Sequence, residues 1–433
     1  MQTVSVQAGR VAGSLQAPTS KSFMQRVVAA AVANKQYVTI RNFGTSNDDV
    51  AAMNIATQLG AIITPINDTT ISINASNATV HQPTQIHCGE SGLGIRMFTP
   101  IMCLYQHPVE IHGTGSLVGR PMHFFDEVLP QVGVSYSSQN GYVPLQVKGP
   151  LMPANITIDG SLSSQFLTGL LYGYSVAINS AAQPTEAVIT VQNLASKPYI
   201  DLTLAVMQQM GMLVPTHHNY EQFVFNNAKP AVLPSKVDIT VEGDWSGAAF
   251  LLVAGAIAGE VCLQGLQAFS TQADKAVLQA IMQTGATLSI EENTTTVKTV
   301  SNLQPFHFNA THCPDLFPPL AVLAAFCQGK SVIEGVGRLA HKESNRGLTL
   351  QRQLGAMGVS ITLQDDLMII DGGRALTGAT VSSEHDHRIA MACAVAALKA
   401  SGTTTITDAD AINKSYPNFY QHIKALGAVI SPL

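Results

Sequence analysis

The sequence predicts a two-domain α/β protein made from six copies of one unit, three in each domain. Three observations carry that prediction. The first is size: 433 residues with 46 % hydrophobic side chains exceed what one core commonly supports and suffice for two. The second is a recurring junction in which a helical apolar run ends in Gly and leads into a β-branched or apolar stretch. It occurs at Gly60, Gly133, Gly211, Gly285, Gly358 and Gly427, at intervals of 69 to 78 residues. Gly suits the position just past a helix C-terminus because it adopts the left-handed conformation without a Cβ clash. One such junction is ordinary; six at near-constant spacing mark a repeat. The third observation is the pair Pro230 and Pro234 between the third and fourth copies, which breaks regular structure and places a domain crossover near residues 228–238.

Taken in order, the junctions predict helices over 52–59, 125–132, 202–210, 275–284, 348–357 and 419–426, each followed by a strand. Composition narrows the function. The net charge is −5, which gives no reason to expect nucleic acid or an anionic membrane as partner. No apolar run is long enough to span a bilayer, and the first residues carry no secretory pattern. Six scattered cysteines without a C-x-x-C pair suggest reduced thiols and a cytoplasmic location. Charged residues are only 12 % of the chain, so each cluster of them counts.

Several clusters could hold anions. Lys21, Ser22 and Arg26 stand at the start of an Ala/Val-rich helical run, where free N–H groups attract phosphate or carboxylate; Ser22 and Arg26 share a face. Cys88-Gly89-Glu90-Ser91-Gly92-Leu93-Gly94-Ile95-Arg96 is a Gly-rich turn opening a helix, though not a P-loop. Gly119-Arg120-Pro121 sets a cation beside a turn, and Ser163, Ser164 and Gln165 offer polar groups at another helix start, as does Ser196. In the second half stand Asp315, the segment Lys342-Glu343-Ser344-Asn345-Arg346, Asp386-His387-Arg388 and Lys414. On a helix, Lys342 and Arg346 would share a face with Glu343 at its edge, and a carboxylate beside cations suits acid–base work on bound anions. In isolation, most of these segments more often describe a plain turn, a capped helix or a salt-bridged surface. His385 and His387 lack a third ligand at recognisable spacing, so no metal is expected.

In combination and in this order, the segments resemble the 3-phosphoshikimate 1-carboxyvinyltransferase family of enolpyruvyl transferases over essentially the whole chain. The most specific pieces are Ser20-Lys21-Ser22 with Arg26, Ser163-Ser164-Gln165-Phe166-Leu167-Thr168 and Ser196-Lys197-Pro198-Tyr199-Ile200-Asp201. Glu242-Gly243-Asp244, Lys342-Glu343-x-x-Arg346 and Asp386-His387-Arg388-x-Ala390-Met391 complete the set.

The resemblance implies the enolpyruvyl-transferase fold: two domains of three βαβαββ units with the active site in the cleft between them. Residues 1–20 plus 238–433 would form one domain and 21–237 an inserted one. It implies transfer of the carboxyvinyl group of phosphoenolpyruvate to the 5-hydroxyl of shikimate 3-phosphate by a monomer that uses no cofactor. By matching positions, Lys21, Ser22, Arg26, Ser163, Ser164, Gln165, Ser196, Asp315 and Lys342 would contact shikimate 3-phosphate. Lys21, Gly92, Arg120, Gln165, Arg346, Arg388 and Lys414 would hold phosphoenolpyruvate, with Asp315 as base and Glu343 as acid.

Three positions depart from the family pattern: Glu90 and Leu93 replace a common Asn and Thr, and Arg338 replaces an Asn that often contacts the shikimate phosphate. Two rival readings remain beside this one. The sister transferase acting on UDP-N-acetylglucosamine carries a reactive Cys where this chain has Gly115. An inactive phosphometabolite-binding paralogue would not be expected to retain Lys21, Asp315, Glu343, Arg388 and Lys414.

Overall fold

A computed structural model describes residues 2–76, 78, 84–183, 185–229 and 231–432 of the chain; Pro230, part of the expected crossover, lies outside them. The chain divides into two compact units, Met1–Ser20 with Glu242–Leu433 and an inserted Lys21–Val241. The inserted unit carries α1 (Lys21–Ala33), α2 (Asn47–Gln58), α3 (Gly92–Met102), α4 (His123–Val128), α5 (Ser164–Asn179) and α6 (Pro198–Gln209). The terminal unit carries α7 (Trp245–Ala258), α8 (Val277–Gln283), α9 (Phe317–Ala325), α10 (Arg346–Ala356), α11 (His387–Ala397) and α12 (Phe419–Ala425).

All six repeat glycines follow the second helix of a unit with positive φ: 90° at Gly60, 75° at Gly133, 68° at Gly211, 78° at Gly285, 98° at Gly358 and 106° at Gly427. Two details differ from the sequence pattern. The second helix of the second repeat is α-helical only to Val128 and tightens into a 3-10 turn over Leu129–Val132, where Pro130 cannot donate an N–H. After Gly211 the strand begins at Thr216 rather than at Met212, past Pro215, which has no donor for the ladder.

Every repeat closes on a four-stranded sheet with one parallel and two antiparallel pairings. In the second repeat, Gln85–His87 runs parallel to Val109–His112, which pairs antiparallel with Tyr142–Lys148 and that in turn with Ser135–Gln139. The first sheet of each unit borrows its parallel edge strand from beyond a crossover. Val11–Gln16 lies along Gly259–Gln264 in the terminal unit, and Lys236–Thr240 lies along Tyr37–Arg41 in the inserted one. That last pairing keeps residues 236–240 with the inserted unit, so the second crossover falls between Val241 and Glu242.

Within each unit the first helices of the repeats pack on one another, α1 with α3 and α5, and α7 with α9 and α11. Their composition explains this: α3, α7, α9 and α11 are buried along their whole length, and a helix apolar on all sides belongs in a core. The second helices bury one stripe; α10 hides Arg346, Gly347, Thr349, Leu350, Gln353 and Leu354. Among the described residues no helix is long and apolar enough to cross a membrane.

Candidate active site

In the inserted unit the N-terminal ends of α1, α3 and α5 meet, and three such ends concentrate free N–H groups and positive dipole ends. Ser91, the cap of α3, accepts from Gly94 N and donates to Gln25 Oε1 of α1 at 2.8 Å. Arg96 of α3 donates to Gln165 Oε1 of α5 at 2.8 Å and lies over the Phe166 ring. Ser163 caps α5, with Ser164 buried behind it.

Lys21, the first residue of α1, pairs with Asp48 Oδ2 at 2.8 Å. Beside it Asp49 closes a capping box with Ser46, and burial pushes its carboxyl up to about 7 against the pull of the Ser46 hydrogen bond. Arg26 is 1 % exposed and is held by uncharged groups: Thr203 Oγ1 at 2.9 Å, the Ser22 carbonyl at 2.8 Å and the Tyr199 carbonyl at 3.3 Å. Burial lowers its pKa. Ser196 sits just ahead of α6 with φ 57°.

Gly92 opens α3, and a Cβ built there would meet Arg120 Nη1 at 2.4 Å, so the guanidinium lies on the bare backbone. Glu90 accepts from Ser116 N and Oγ, each at 3.2 Å. Gly115 has φ 54°, and a Cβ there would strike the Glu90 carboxyl at 2.3 Å. A side chain at residue 115, cysteine included, is therefore excluded unless Glu90 moves.

The terminal unit gathers the remaining candidates around one arginine. Arg346 is fully buried; Nη1 donates to Asp315 at 2.8 Å, Nη2 to Glu343 at 2.5 Å, and Nε to Asp386 at 2.9 Å. Asp315 also receives Lys342 Nζ at 3.3 Å and Arg388 Nη2 at 3.0 Å. Lys414 Nζ stands 4.0 Å from the other oxygen of Glu343. Asp386 caps α11 by accepting from Arg388 N.

Burial would raise the Asp315 carboxyl, but Arg388, Lys342 and Arg346 outweigh it and hold it well below the usual carboxylate range. Burial lowers Lys342, opposed by Asp315. Burial also lowers Arg346, yet Asp386, Glu343 and Asp315 more than restore its charge.

One expectation is corrected. Lys342 and Glu343 are not on a helix face with Arg346: Asn345 accepts from Leu348 N and caps α10, so the helix starts at Arg346 and the two earlier residues form a bend. Nor is the segment a solvated surface helix, because Arg346 is buried.

Sequence reasoning also left some groups unassigned. Asp48 is the Lys21 partner and Arg96 the Gln165 partner, while Asp386 organises Arg346. Arg338 lies within electrostatic reach of Asp315, which partly offsets the lowering of its pKa by burial. Asp386 and Arg96 stood inside quoted motifs; nothing local singled out Asp48.

The family model described as EPSP synthase (3-phosphoshikimate 1-carboxyvinyltransferase) matches residues 6–423. A 3-phosphoshikimate 1-carboxyvinyltransferase from Clostridium botulinum (strain Alaska E43 / Type E3) is 32 % identical over 432 residues, covering 99 % of this chain and 98 % of the relative. One from Methanocorpusculum labreanum is 34 % identical over 425 residues, covering 98 % of each. Among solved structures, EPSP synthase from Acinetobacter baumannii superposes with a TM-score of 0.82 over 100 % of both chains at 23 % identity. The enolpyruvyl transferase NikO from Streptomyces tendae gives 0.79 at 18 % identity, covering 100 % of this chain and 99 % of the other. At these identities the structural likeness speaks for the fold, which is the enolpyruvyl-transferase α/β fold of repeated units.

Proposed function

This chain belongs to the EPSP synthase family, and on that premise we propose how its residues move the carboxyvinyl group of phosphoenolpyruvate to the 5-hydroxyl of shikimate 3-phosphate. The reaction releases inorganic phosphate and is a step toward chorismate and the aromatic amino acids. We assign it to the cytoplasm, which its free cysteines favour, and take a single chain as the working unit.

The observation that carries the residue roles is the arrangement around Arg346: Asp315 and Glu343 are bridged by one guanidinium and flanked by Lys342, Arg388 and Lys414. Addition requires the 5-hydroxyl to lose a proton while the methylene carbon of phosphoenolpyruvate gains one. In this reading Asp315 takes the first proton and Glu343 supplies the second, forming a C–O bond at the enol carbon and a methyl group beside it. Elimination then returns one methyl proton to Glu343 as the C–O bond to phosphate breaks, and the proton held by Asp315 leaves with the departing phosphate, which restores both carboxyls. Two carboxyls in unlike environments divide such work naturally.

The depressed pKa of Asp315 makes it a weak base in the free protein. Bound substrate anions would compete for Arg388 and Lys342, relieve Asp315 of their charge and strengthen it. Arg346 already spends four of its five N–H groups on carboxylates, so its chief role is to fix Asp315 and Glu343, with one Nη1 proton left for phosphoenolpyruvate.

Lys21, Ser22, Arg26, Ser163, Ser164, Gln165 and Ser196 are assigned to shikimate 3-phosphate, with Asp315 and Lys342. Lys21, Gly92, Arg120, Gln165, Arg388 and Lys414 are assigned to phosphoenolpyruvate. The buried Arg26, which among the described residues bonds a hydroxyl and two carbonyls, is suited to a phosphate. UDP-N-acetylglucosamine is disfavoured as acceptor by the locked Gly115.

Release of inorganic phosphate tests the reading. It should require both phosphoenolpyruvate and shikimate 3-phosphate; release with UDP-N-acetylglucosamine instead, or none from folded protein, would overturn it.

A further inference from the structure

Asp49 and Asp274 occupy the same place in the repeat. Each stands eleven residues before its repeat glycine, Gly60 or Gly285, in the first repeat of its unit. The other four repeats hold Met122, Ile200, Gly347 and Tyr416 there, and all four are buried. The fold thus offers this position an apolar setting, where a carboxyl is costly unless it is partnered. Both aspartates are nonetheless held by serine, Asp49 by Ser46 and Asp274 by Ser246 Oγ of α7.

Asp274 lies in a 3-10 turn over Ala273–Ala276 and is 0 % exposed. That turn packs on α7 and α8. Gln272, just before it, accepts from Trp245 N at 3.0 Å and donates to the Gly243 carbonyl at 2.8 Å, tying it to the start of α7. The charged groups acting on Asp274 are Asp315, which precedes α9, Arg388 of α11 and Asp244, the cap of α7. The Cys313 thiol feels Asp274 and Asp315 together. The turn Pro314–Leu316, which carries Asp315, packs on α7 as the Asp274 turn does, and α11 with Arg388 packs on α7 too, so this fully buried carboxyl stands against the same helix as the proposed base and a cation that holds it.

We propose that Asp274 is a positioning residue for the reaction: its negative charge offsets part of the cation field on Asp315 and keeps that base strong enough to accept the proton of the attacking hydroxyl. This rests on the assignment of Asp315 as base. Burial, and then the like charge of Asp315, push the Asp274 carboxyl up to about 6, while Arg388 and the Ser246 hydrogen bond pull it down. Full activity therefore requires Asp274 to be ionised, and acidification that protonates it weakens the base.

The experiment is kcat against pH at saturating substrates, read by phosphate release, for the wild type, Asp274→Asn and Ser246→Ala. Substrate phosphates titrate alike in all three, so only differences between them count. Asp274→Asn removes the charge. Asp315 becomes less basic, the acid limb moves to lower pH and the plateau falls by roughly threefold to tenfold. Ser246→Ala removes a bond that favours ionised Asp274, so the limb moves up by about 0.5–1 pH unit.

Opposite displacements support the proposal, and a purely structural role would not produce them. Unmoved limbs, or limbs displaced in the same direction, overturn it while leaving the functional reading intact. If Asp274→Asn does not fold, Ser246→Ala decides alone. A wild type that releases no phosphate defeats the functional reading and this inference together.

Discussion

The two units hold their buried arginines in different ways. In the terminal unit, cations and carboxylates answer one another: Arg346 touches Asp315, Glu343 and Asp386, and Asp315 in turn receives Lys342 and Arg388. In the inserted unit Arg26 rests on hydroxyl and carbonyl oxygens, Arg96 reaches an amide oxygen, and helix N-termini meet around them. The first arrangement has acids and bases whose protons can move, at little net charge. The second holds Arg26 and Arg96 through neutral oxygens as well as at the starts of helices. In the proposed reading the proton transfers fall to the terminal unit alone, while both units supply cations to the anions.

The comparison can be broken most violently at its centre. Arg346→Met should strand three carboxylates in a buried site, costing about 3–5 kcal/mol of stability by urea denaturation and abolishing turnover. Wild-type stability would mean the network is not what holds this region. Arg26→Gln should leave the fold and the terminal cluster intact but weaken shikimate 3-phosphate binding by about 1.5–3 kcal/mol, roughly tenfold to a hundredfold by titration calorimetry. An unchanged affinity would remove the inserted unit's claim to the phosphate.

Gly92→Ala should displace the Arg120 guanidinium, which lies 2.4 Å from the new Cβ. The expected outcome is a rise of about threefold to tenfold in KM for phosphoenolpyruvate, with shikimate 3-phosphate affinity kept.

Asp49→Asn sharpens the comparison through stability rather than turnover. The Asp49 carboxyl is pushed from 3.8 up to about 7 in the folded chain, so between those values the native state binds a proton that the unfolded chain has released. Wild-type stability should therefore fall relative to the variant as pH rises from about 4 through 7. Parallel stability curves would contradict the buried, proton-holding Asp49.

The repeat was legible because a helix C-terminus leaves a local mark: all six glycines needed positive φ, and only glycine takes it freely. The parallel–antiparallel sheet order was not legible. It depends on Val11–Gln16 and Lys236–Thr240 returning from distant sequence to pair with Gly259–Gln264 and Tyr37–Arg41.

At the site, Lys21, Arg26, Asp315, Glu343 and Arg388 stood out through motif resemblance, whereas Asp48 and Asp274 did not. Each matters through a tertiary neighbour, Lys21 for one and Ser246 for the other, and neither pairing leaves a sequence signature. The bend at Lys342 and Glu343 was misread because an i, i+4 pattern suggested a helix face. Asn345 caps the helix one residue before Arg346 and sets that pattern aside.

The division between capture and proton transfer is tested most directly by Glu343→Gln, with kcat and shikimate 3-phosphate affinity measured on the same preparation. Turnover should fall by at least about a hundredfold, because the methylene carbon loses its acid, while affinity for shikimate 3-phosphate stays within about twofold of the wild type. Loss of both together, or retention of turnover, would contradict the division.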